Sequence, residues 1–270
     1  MSIKTRENIL IINNTRTEEN YPKEAYDLLF DIESKHFWFW GRNRIIKVFI
    51  EKTLNKSKRI EFLEVGCGTG LVLSSLEKMG YKTTGVDLNL EGLKLARKRT
   101  NSTLICGELK SINFNTKFDA LGLFDVLEHI EDQKTFLKDC RKLLAPDGLI
   151  FLTVPAKKNL WSKVDEISGH KRRYEKKEII KVLKSAGYGV KSVRYFNFSL
   201  FFPQLIFRKY QDRKIAKTKN NSFLILKEGL TPPPFFLNLL FKLLLFVESK
   251  IINLISFPTG TSLIIVAKRI

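Results

Sequence analysis

Apolar and polar positions change period along this chain. In "YPKEAYDLLFDIESKHFWFWGRNRIIKVFIEKTLNK", from Tyr21 to Lys56, Tyr26, Leu29, Phe30 and Glu33 lie at helical spacing, as do Ile45, Ile46, Phe49 and Ile50. This predicts two helices with an aromatic joint and a break at Gly41. From residue 59 short apolar runs alternate with amphipathic stretches. "RIEFLEV" predicts a buried strand and "GLVLSSLEKMG" a helix closed by Gly80. "YKTTGVD" and "NLEGLKLARKRT" repeat the pair, and "STLICGE" and "KFDALGLFD" add two strands. "EDQKTFLKDCRKLLAPDG" is a helix that stops at Pro146–Gly148, before strand "LIFLTVP". Helix "EKKEIIKVLKSAG", strand "YGVKSVRYFNF" and a final strand "TSLIIVAKRI" complete the series.

Strands separated by helices and short turns call for a parallel sheet wound on both faces. The expected fold is therefore α/β: a doubly wound, mostly parallel, seven-stranded Rossmann-like sheet. An N-terminal helical lid and a helical insertion before the last strand decorate it. The expected divisions are a helical cap over residues 1–57, whose first twenty residues look polar and frayed, and a core over 58–200. An apolar and basic insertion follows over 201–258, then the last core strand over 259–270. No internal repeat or low-complexity tract is present.

The insertion departs from the alternation. "PFFLNLLFKLLLFVESKIINLISFP" contains Lys242, Glu248 and Lys250, too many charges for a membrane span. As a helix it places Asn238, Lys242, Ser249 and Asn253 on one narrow stripe and is apolar elsewhere. So wide an apolar face packs on the body of the protein, on a second subunit, or in a lipid interface. Arg208, Lys209, Arg213, Lys214, Lys217 and Lys219 lie just upstream, as at an anionic membrane face.

At 44% hydrophobic residues the chain can bury a core. Cys67, Cys106 and Cys140 are too few and too scattered for a disulfide framework or a metal finger, which fits a reducing cytosol. The apolar patch in "MSIKTRENILIINN" is too short for a signal-peptide core. The formal net charge of +19 favours anionic partners: nucleic acid, an anionic membrane, or phosphorylated substrates. Lysines spread along the whole chain also serve simply to keep a surface solvated.

Candidate chemistry gathers at the strand ends. Gly66, Gly68 and Gly70 in "FLEVGCGTG" form a tight turn whose backbone N–H groups can face an anion. A dinucleotide turn would carry glycine or alanine at position 71, where this chain has Leu71, so a smaller anion such as a carboxylate fits better. Asp87, at the second strand end, can accept both hydroxyls of a ribose. Glu108 can take a purine amine, with Leu109 against the ring and Phe124 as a second wall. A carboxylate, a ribose and an adenine together describe S-adenosylmethionine.

With these features the chain resembles the class I S-adenosylmethionine-dependent methyltransferases, over about residues 25–200 and again in the last strand. "EVGCGTG", "GVDLN", "FDALGLFDVLEHIED" and "LLAPDGLIFLTVPA" match successive family motifs. The resemblance implies cofactor contacts from Glu64, Gly66, Cys67, Gly68, Gly70, Asp87, Leu88, Glu108, Leu109 and Asp125. Many members carry aspartate at the position of Glu108. "SKHFWFWGRNRII", "LWSKVDEISGHKRRYEKKEI" and "FPTGTSLIIVAK" look like segments of type 11 and type 12 methyltransferases that act on cell-surface polysaccharide or lipid-linked sugars.

A methyl transfer needs alignment, exclusion of water and, for a hydroxyl acceptor, a base. His170 is the first candidate for that base and His129 the second, the plainer roles being loop ordering and a helix-start hydrogen bond. Arg172 and Arg173 could grip a phosphate or carboxylate of the acceptor, or one of them could pair with Asp165 or Glu166. Trp161 and Tyr174 complete the substrate side. Trp40 with Arg42 offers a cofactor or acceptor wall, while Phe37 and Phe39 read as packing. Asp125, Glu128, His129 and His170 have the chemistry to bind a divalent ion, but the reading taken assigns no metal. The expected partner is a small-molecule or lipid-linked acceptor. The protein is expected to be cytoplasmic, at or near the inner membrane face, alone or as an oligomer. The rivals are a nucleic-acid (RNA) methyltransferase, disfavoured because no (N/D)-P-P-(Y/F) run follows the fourth strand, an oxidoreductase on the same sheet, disfavoured by Leu71, and a non-catalytic cofactor-binding scaffold.

Overall fold

A computed structural model describes residues 3–12, 23–54, 59–215 and 230–270. The strands are β1 (Ile3–Arg6), β2 (Ile9–Ile12), β3 (Glu61–Val65), β4 (Lys82–Asp87), β5 (Thr103–Cys106), β6 (Phe118–Phe124), β7 (Leu144–Pro155), β8 (Tyr188–Phe196) and β9 (Ser262–Arg269). The helices are α1 (Lys23–Glu33), α2 (Phe37–Thr53), α3 (Leu71–Lys78), α4 (Leu90–Arg97), α5 (Gln133–Leu143), α6 (Lys163–Ile167), α7 (Lys176–Ser185), α8 (Phe201–Ile215) and α9 (Phe235–Ile251).

The strands form one sheet in the order β1-β2-β5-β4-β3-β6-β7-β9-β8. From β3 the chain winds outward through β4 and β5, then returns to lay β6 on the other side of β3 and β7 beyond it, all parallel. The winding reverses between β3 and β6, which opens a crevice beyond their carboxyl ends. The last strand, β9, inserts between β7 and β8 antiparallel to both, so that β8 runs in the direction of the core strands. The expected α/β class holds, with nine strands in place of seven. The two added strands come from the N-terminal segment read as frayed: Ile9 to Ile12 are four consecutive branched apolar residues, and they pair in parallel with β5. Residues 3–12 therefore extend the sheet and are not part of a helical cap.

Phe62, Leu63, Leu121, Leu123, Phe151, Leu152, Ile264 and Ile265 are fully buried at the centre of the sheet. Each contributes roughly 1.5–3 kcal/mol relative to exposure. On α2, Ile45, Ile46, Phe49 and Ile50 are buried as their spacing requires. The break before this helix falls at Lys35–His36, not at Gly41. His36 caps α2 by accepting Trp38 N at 3.1 Å, and burial, then Lys242, lowers its pKa to about 4, which keeps that ring nitrogen available. Gly41 sits inside α2 because α9 packs there. A Cβ at Gly41 would meet Leu245 Cδ1 at 2.4 Å. The insertion supplies α8 and α9; Lys217 and Lys219 lie outside the described residues.

Candidate active site

The glycine turn connects β3 to α3. Gly66, Gly68 and Gly70 all have positive φ, at 75°, 50° and 77°, a region that disfavours other residues. Gly66 N and Cys67 N donate to Val86 O, which ties the turn to the end of β4. A Cβ at Gly70 would meet Ala96 Cβ at 2.8 Å, so here the turn touches α4. A Cβ at Gly68 would meet nothing within 4 Å. The turn is thus packed beneath and open above, as a backbone cradle must be. Cys67 lies underneath: burial pushes its thiol up, and its Sγ would stand 2.8 Å from a Cβ at Gly85.

Asp87 ends β4 beside this turn. Its carboxylate accepts Gly68 N at 2.8 Å and Asn89 N at 2.9 Å. Burial raises its pKa, against the pull of those N–H groups. Leu88 follows, its carbonyl 3.6 Å from the Cys106 thiol. Glu108 begins a short 3-10 turn with Leu109 after β5 and pairs with Lys110 at 2.8 Å.

Asp125 ends β6 with φ of 58°. It accepts Thr153 Oγ1 at 2.9 Å and Arg42 Nη1 at 2.7 Å. Arg42 therefore joins the lid helix α2 to the centre of the crevice. Trp40 does not go with it. Two residues apart on a helix, the pair point to different sides, and Trp40 lies under Arg44, which bonds Ser249 of α9. Trp38 is the ring beside Arg42, at 5.3 Å. Phe124, expected as a ring wall, is buried in the core, its ring where a Gly122 Cβ would stand. Strand alternation sends it into the sheet packing and leaves Asp125 to face the crevice.

Two buried polar atoms here have no protein partner, Glu64 Oε2 and Arg42 Nε. Burial raises the Glu64 carboxyl well above the ordinary range, with Arg42 opposing and Asp87 and Glu33 adding to the rise. An unused anion acceptor and an unused cation donor next to an open backbone cradle match the two charged ends of an amino acid. With the Asp87 carboxylate at the end of β4 beside the turn, the residues present fit S-adenosylmethionine.

A second cluster follows β6 and β7. His170 Nδ1 donates to Asp165 Oδ1 at 2.9 Å, which leaves Nε2 as its acceptor atom, 4.0 Å from Glu128 Oε1. His129 Nδ1 donates to Gly169 O at 3.2 Å, the bracing role, with the two rings 4.9 Å apart. Burial, then His170, lowers the His129 pKa. Glu128 is fully buried without a hydrogen-bond partner for either oxygen, and burial, then Asp125, pushes its carboxyl well above the usual range. One donor atom from each of Glu128, His129 and His170 lies within 4.8 Å of the others, a span that could hold a divalent ion.

Trp161 and Arg172 line a cavity of about 310 Å³ with Lys158, Lys171 and Arg173. Arg173 is buried and committed: Nε and Nη2 hold Asp165 at 3.0 and 2.7 Å, and Nη1 holds Ala156 O. Its grip is thus on Asp165. Tyr174 is also buried, its hydroxyl donating to Leu127 O at 3.1 Å and accepting from Gln133. It braces the loop and does not face an acceptor. Another cavity, of about 330 Å³, lies away from this chemistry among Tyr26, Asp27, Glu91 and Lys94.

Three connections were not legible in the sequence. Glu33 of α1 accepts from Thr69 Oγ1 at 2.5 Å and from Arg99, so the lid is bolted to the glycine turn. Asp165, whose pairing with an arginine of the 172–173 pair was expected, also holds His170 and, from α8, Arg208. Arg42 reaches Asp125 from α2. Glu33 lay on a helical stripe that looked like packing, and the one available signal was its charge among apolar neighbours.

The family model described as a methyltransferase domain matches residues 63–152. This stretch is similar to methyltransferase domains. It holds the glycine turn, Asp87 and Asp125, the parts just described as the crevice. A ubiquinone biosynthesis O-methyltransferase of Colwellia psychrerythraea is 32% identical over 101 residues, covering 35% of this chain and 41% of that protein. The chain spans half or less of the length of such curated relatives. Among solved structures, phosphoethanolamine N-methyltransferase 2 of Haemonchus contortus in complex with S-adenosyl-L-methionine is similar with a TM-score of 0.61. That likeness covers 93% of this chain and 58% of that one, at 18% identity. The [4+2]-cyclase SpnF is similar with a TM-score of 0.54, at 16% identity over 84% of this chain and 81% of that one. These structural likenesses show the fold.

Proposed function

We propose that this chain transfers a methyl group from S-adenosylmethionine to an oxygen of a small or lipid-linked, glycan-type acceptor. The observation that carries the reading is the pair of unused buried atoms, Arg42 Nε and Glu64 Oε2, beside the open turn at Gly68. Bound there, the cofactor supplies an electrophilic methyl group on a positively charged sulfur. Arg42 Nε holds its carboxylate beside the open face of the turn, Glu64 its ammonium group, and Asp87 its ribose. Glu108 and Leu109 border the base, and α1 and α2 exclude water.

On the acceptor side, His170 Nε2 takes the hydroxyl proton, its ring oriented by Asp165. Trp161 offers a flat face to a sugar, and Lys158, Lys171 and Arg172 offer charge to an anionic group on it. The similarity to an O-methyltransferase supports an oxygen acceptor. The core over 58–200 and the last strand carry the chemistry, and the 201–258 insertion places the acceptor.

The test is calorimetric titration with S-adenosylmethionine and S-adenosylhomocysteine, followed by transfer of labelled methyl to extracted lipid-linked and free phosphosugars. Saturable heat and labelled acceptor are expected. An absence of heat with both nucleosides ends the reading. Label passing to bulk RNA and to no sugar moves it to the RNA methyltransferase.

A further inference from the structure

Helix α9 is turned inside out. Asn238, Glu248 and Ser249 face the protein, together with the one buried leucine, Leu245. Asn238 accepts Phe37 N at 2.9 Å and donates to Lys35 O at 3.0 Å. Ser249 accepts Arg44 Nε at 2.7 Å, and Glu248 accepts Phe198 N and Ser199 N at 3.1 and 3.3 Å. Its large apolar side chains face outward: Phe236, Leu239, Leu240, Leu243 and Val247 are exposed, Phe236 to 83% and Leu243 to 58%. On α8, Phe202, Ile206 and Phe207 are exposed as well, Ile206 to 70%. A helix at a water-facing surface shows the reverse arrangement. Apolar exposure along 17 helical residues, about 25 Å, exceeds the scattered kind that needs no explanation.

We propose that this face rests in the interface of an anionic lipid bilayer. Charge selects the occupant. The chain carries 47 lysines and arginines against 28 acids, so a second copy would meet like charge, whereas an anionic bilayer meets opposite charge. Lys35 is exposed where Asn238 anchors the start of α9, and Lys250 is exposed in its last turn. Cations at both ends with large apolar side chains between them make an interfacial helix. No helix among the described residues is long and apolar enough to cross a membrane, so the contact is with one surface. The α8 backbone is coupled to the acceptor cluster, because Arg208 bonds Asp165, Ser162 Oγ and Leu160 O. Resting on the proposed transfer reaction for this step alone, docking sets the cavity at Trp161 against the surface where a lipid-borne acceptor is presented.

The experiment is flotation of the full chain with phosphatidylcholine vesicles and with equimolar phosphatidylcholine–phosphatidylglycerol vesicles. A second protein carries Phe236→Ser, Leu240→Ser, Leu243→Ser and Val247→Ser, all at outward positions. The wild type should float with the anionic vesicles, and the variant should partition about tenfold less or weaker. Titration with S-adenosylhomocysteine, expected to be equal in both proteins, shows that the variant is folded. A wild type that stays in the soluble fraction with both vesicle types overturns the proposal, as does a variant that floats equally well. A dimer that the four substitutions split, without flotation, assigns the face to a second copy and also overturns it. Loss of nucleoside binding would remove the transfer reading and leave the flotation result standing.

Discussion

Arg42 and Asp125 meet at 2.7 Å, joining the second helix of the N-terminal region to the end of the central strand β6. Asp125 holds a left-handed backbone conformation to do so. Arg42→Ala should weaken S-adenosylhomocysteine binding roughly 10- to 100-fold, because a charge-assisted hydrogen bond is lost and a partly buried carboxylate is left behind. Arg42→Lys should recover only part of this, since a point charge cannot serve two acceptors as a fork does. Calorimetric titration measures both, and an unchanged Kd for the alanine variant would place Arg42 outside the cofactor site.

The turn glycines should separate folding from binding. Gly70→Ala sets a Cβ against Ala96 in a left-handed conformation, so it should cost more than about 1 kcal/mol of stability. Gly68→Ala meets no protein atom. It should unfold nearer to the wild type yet lose most of its nucleoside affinity, because the methyl group enters the open cradle. Urea unfolding and nucleoside titration of both variants check this; equal losses in both assays would refute the division of labour.

Glu64 makes stability depend on pH in a defined direction. Its pKa in the fold is raised, chiefly by burial. The stability linked to its protonated form is therefore complete below the unfolded pKa and is lost as pH rises through the folded one. Without cofactor, Glu64→Gln should match the wild type in acid and exceed it increasingly as pH rises above the ordinary glutamate range. Each kcal/mol gained corresponds to about 2–4 °C in Tm for a chain near this size. Thermal scans across pH would show two parallel curves if Glu64 were ordinary. Nucleoside affinity should fall in the same variant, since an amide oxygen accepts from an ammonium group without supplying its counter-charge.

Asp165 has the opposite sign. Burial alone would raise its pKa, but His170, Arg208 and Arg173 outweigh it and hold the carboxyl well below its usual range. The linked stability is present above the unfolded pKa and is lost as pH falls below about 4 toward the folded value. Asp165→Asn leaves buried Arg173 without its counter-charge and should cost about 3–5 kcal/mol at neutral pH. The deficit should shrink in acid. Urea unfolding at pH 7 and near pH 2 decides the point, and a deficit independent of pH would mean the carboxylate is not the group that titrates.

The core strands and the glycine turn could be read from residues alone, because both are local. Period-2 and buried runs such as Phe62–Val65 and Leu149–Pro155 identify strands wherever they pack, and three glycines at positive φ identify a turn without reference to partners. The N-terminal hairpin was missed because Ile9–Ile12 is short and flanked by polar residues, so its strand character depends on the open edge of β5. Trp40 was paired with Arg42 by proximity in sequence, and the helix then sent them to different sides. Tyr174 and Arg173 looked available because their chemistry suits an acceptor. Burial against Leu127 and Asp165 had already claimed them.

By itself, the sequence determined a parallel α/β sheet and a backbone cradle followed by an acidic strand end, since short-range sterics and hydrophobic period suffice for these. Tertiary structure alone decided that Glu33 bolts a helix to Thr69, that Asp165 gathers His170 and Arg208 alongside Arg173, and which side of α9 faces outward. The polar stripe on that helix was visible in the sequence. Its direction was not, because a helix carries its periodicity with it while its rotation is set by what it packs against, here Gly41 beneath Leu245.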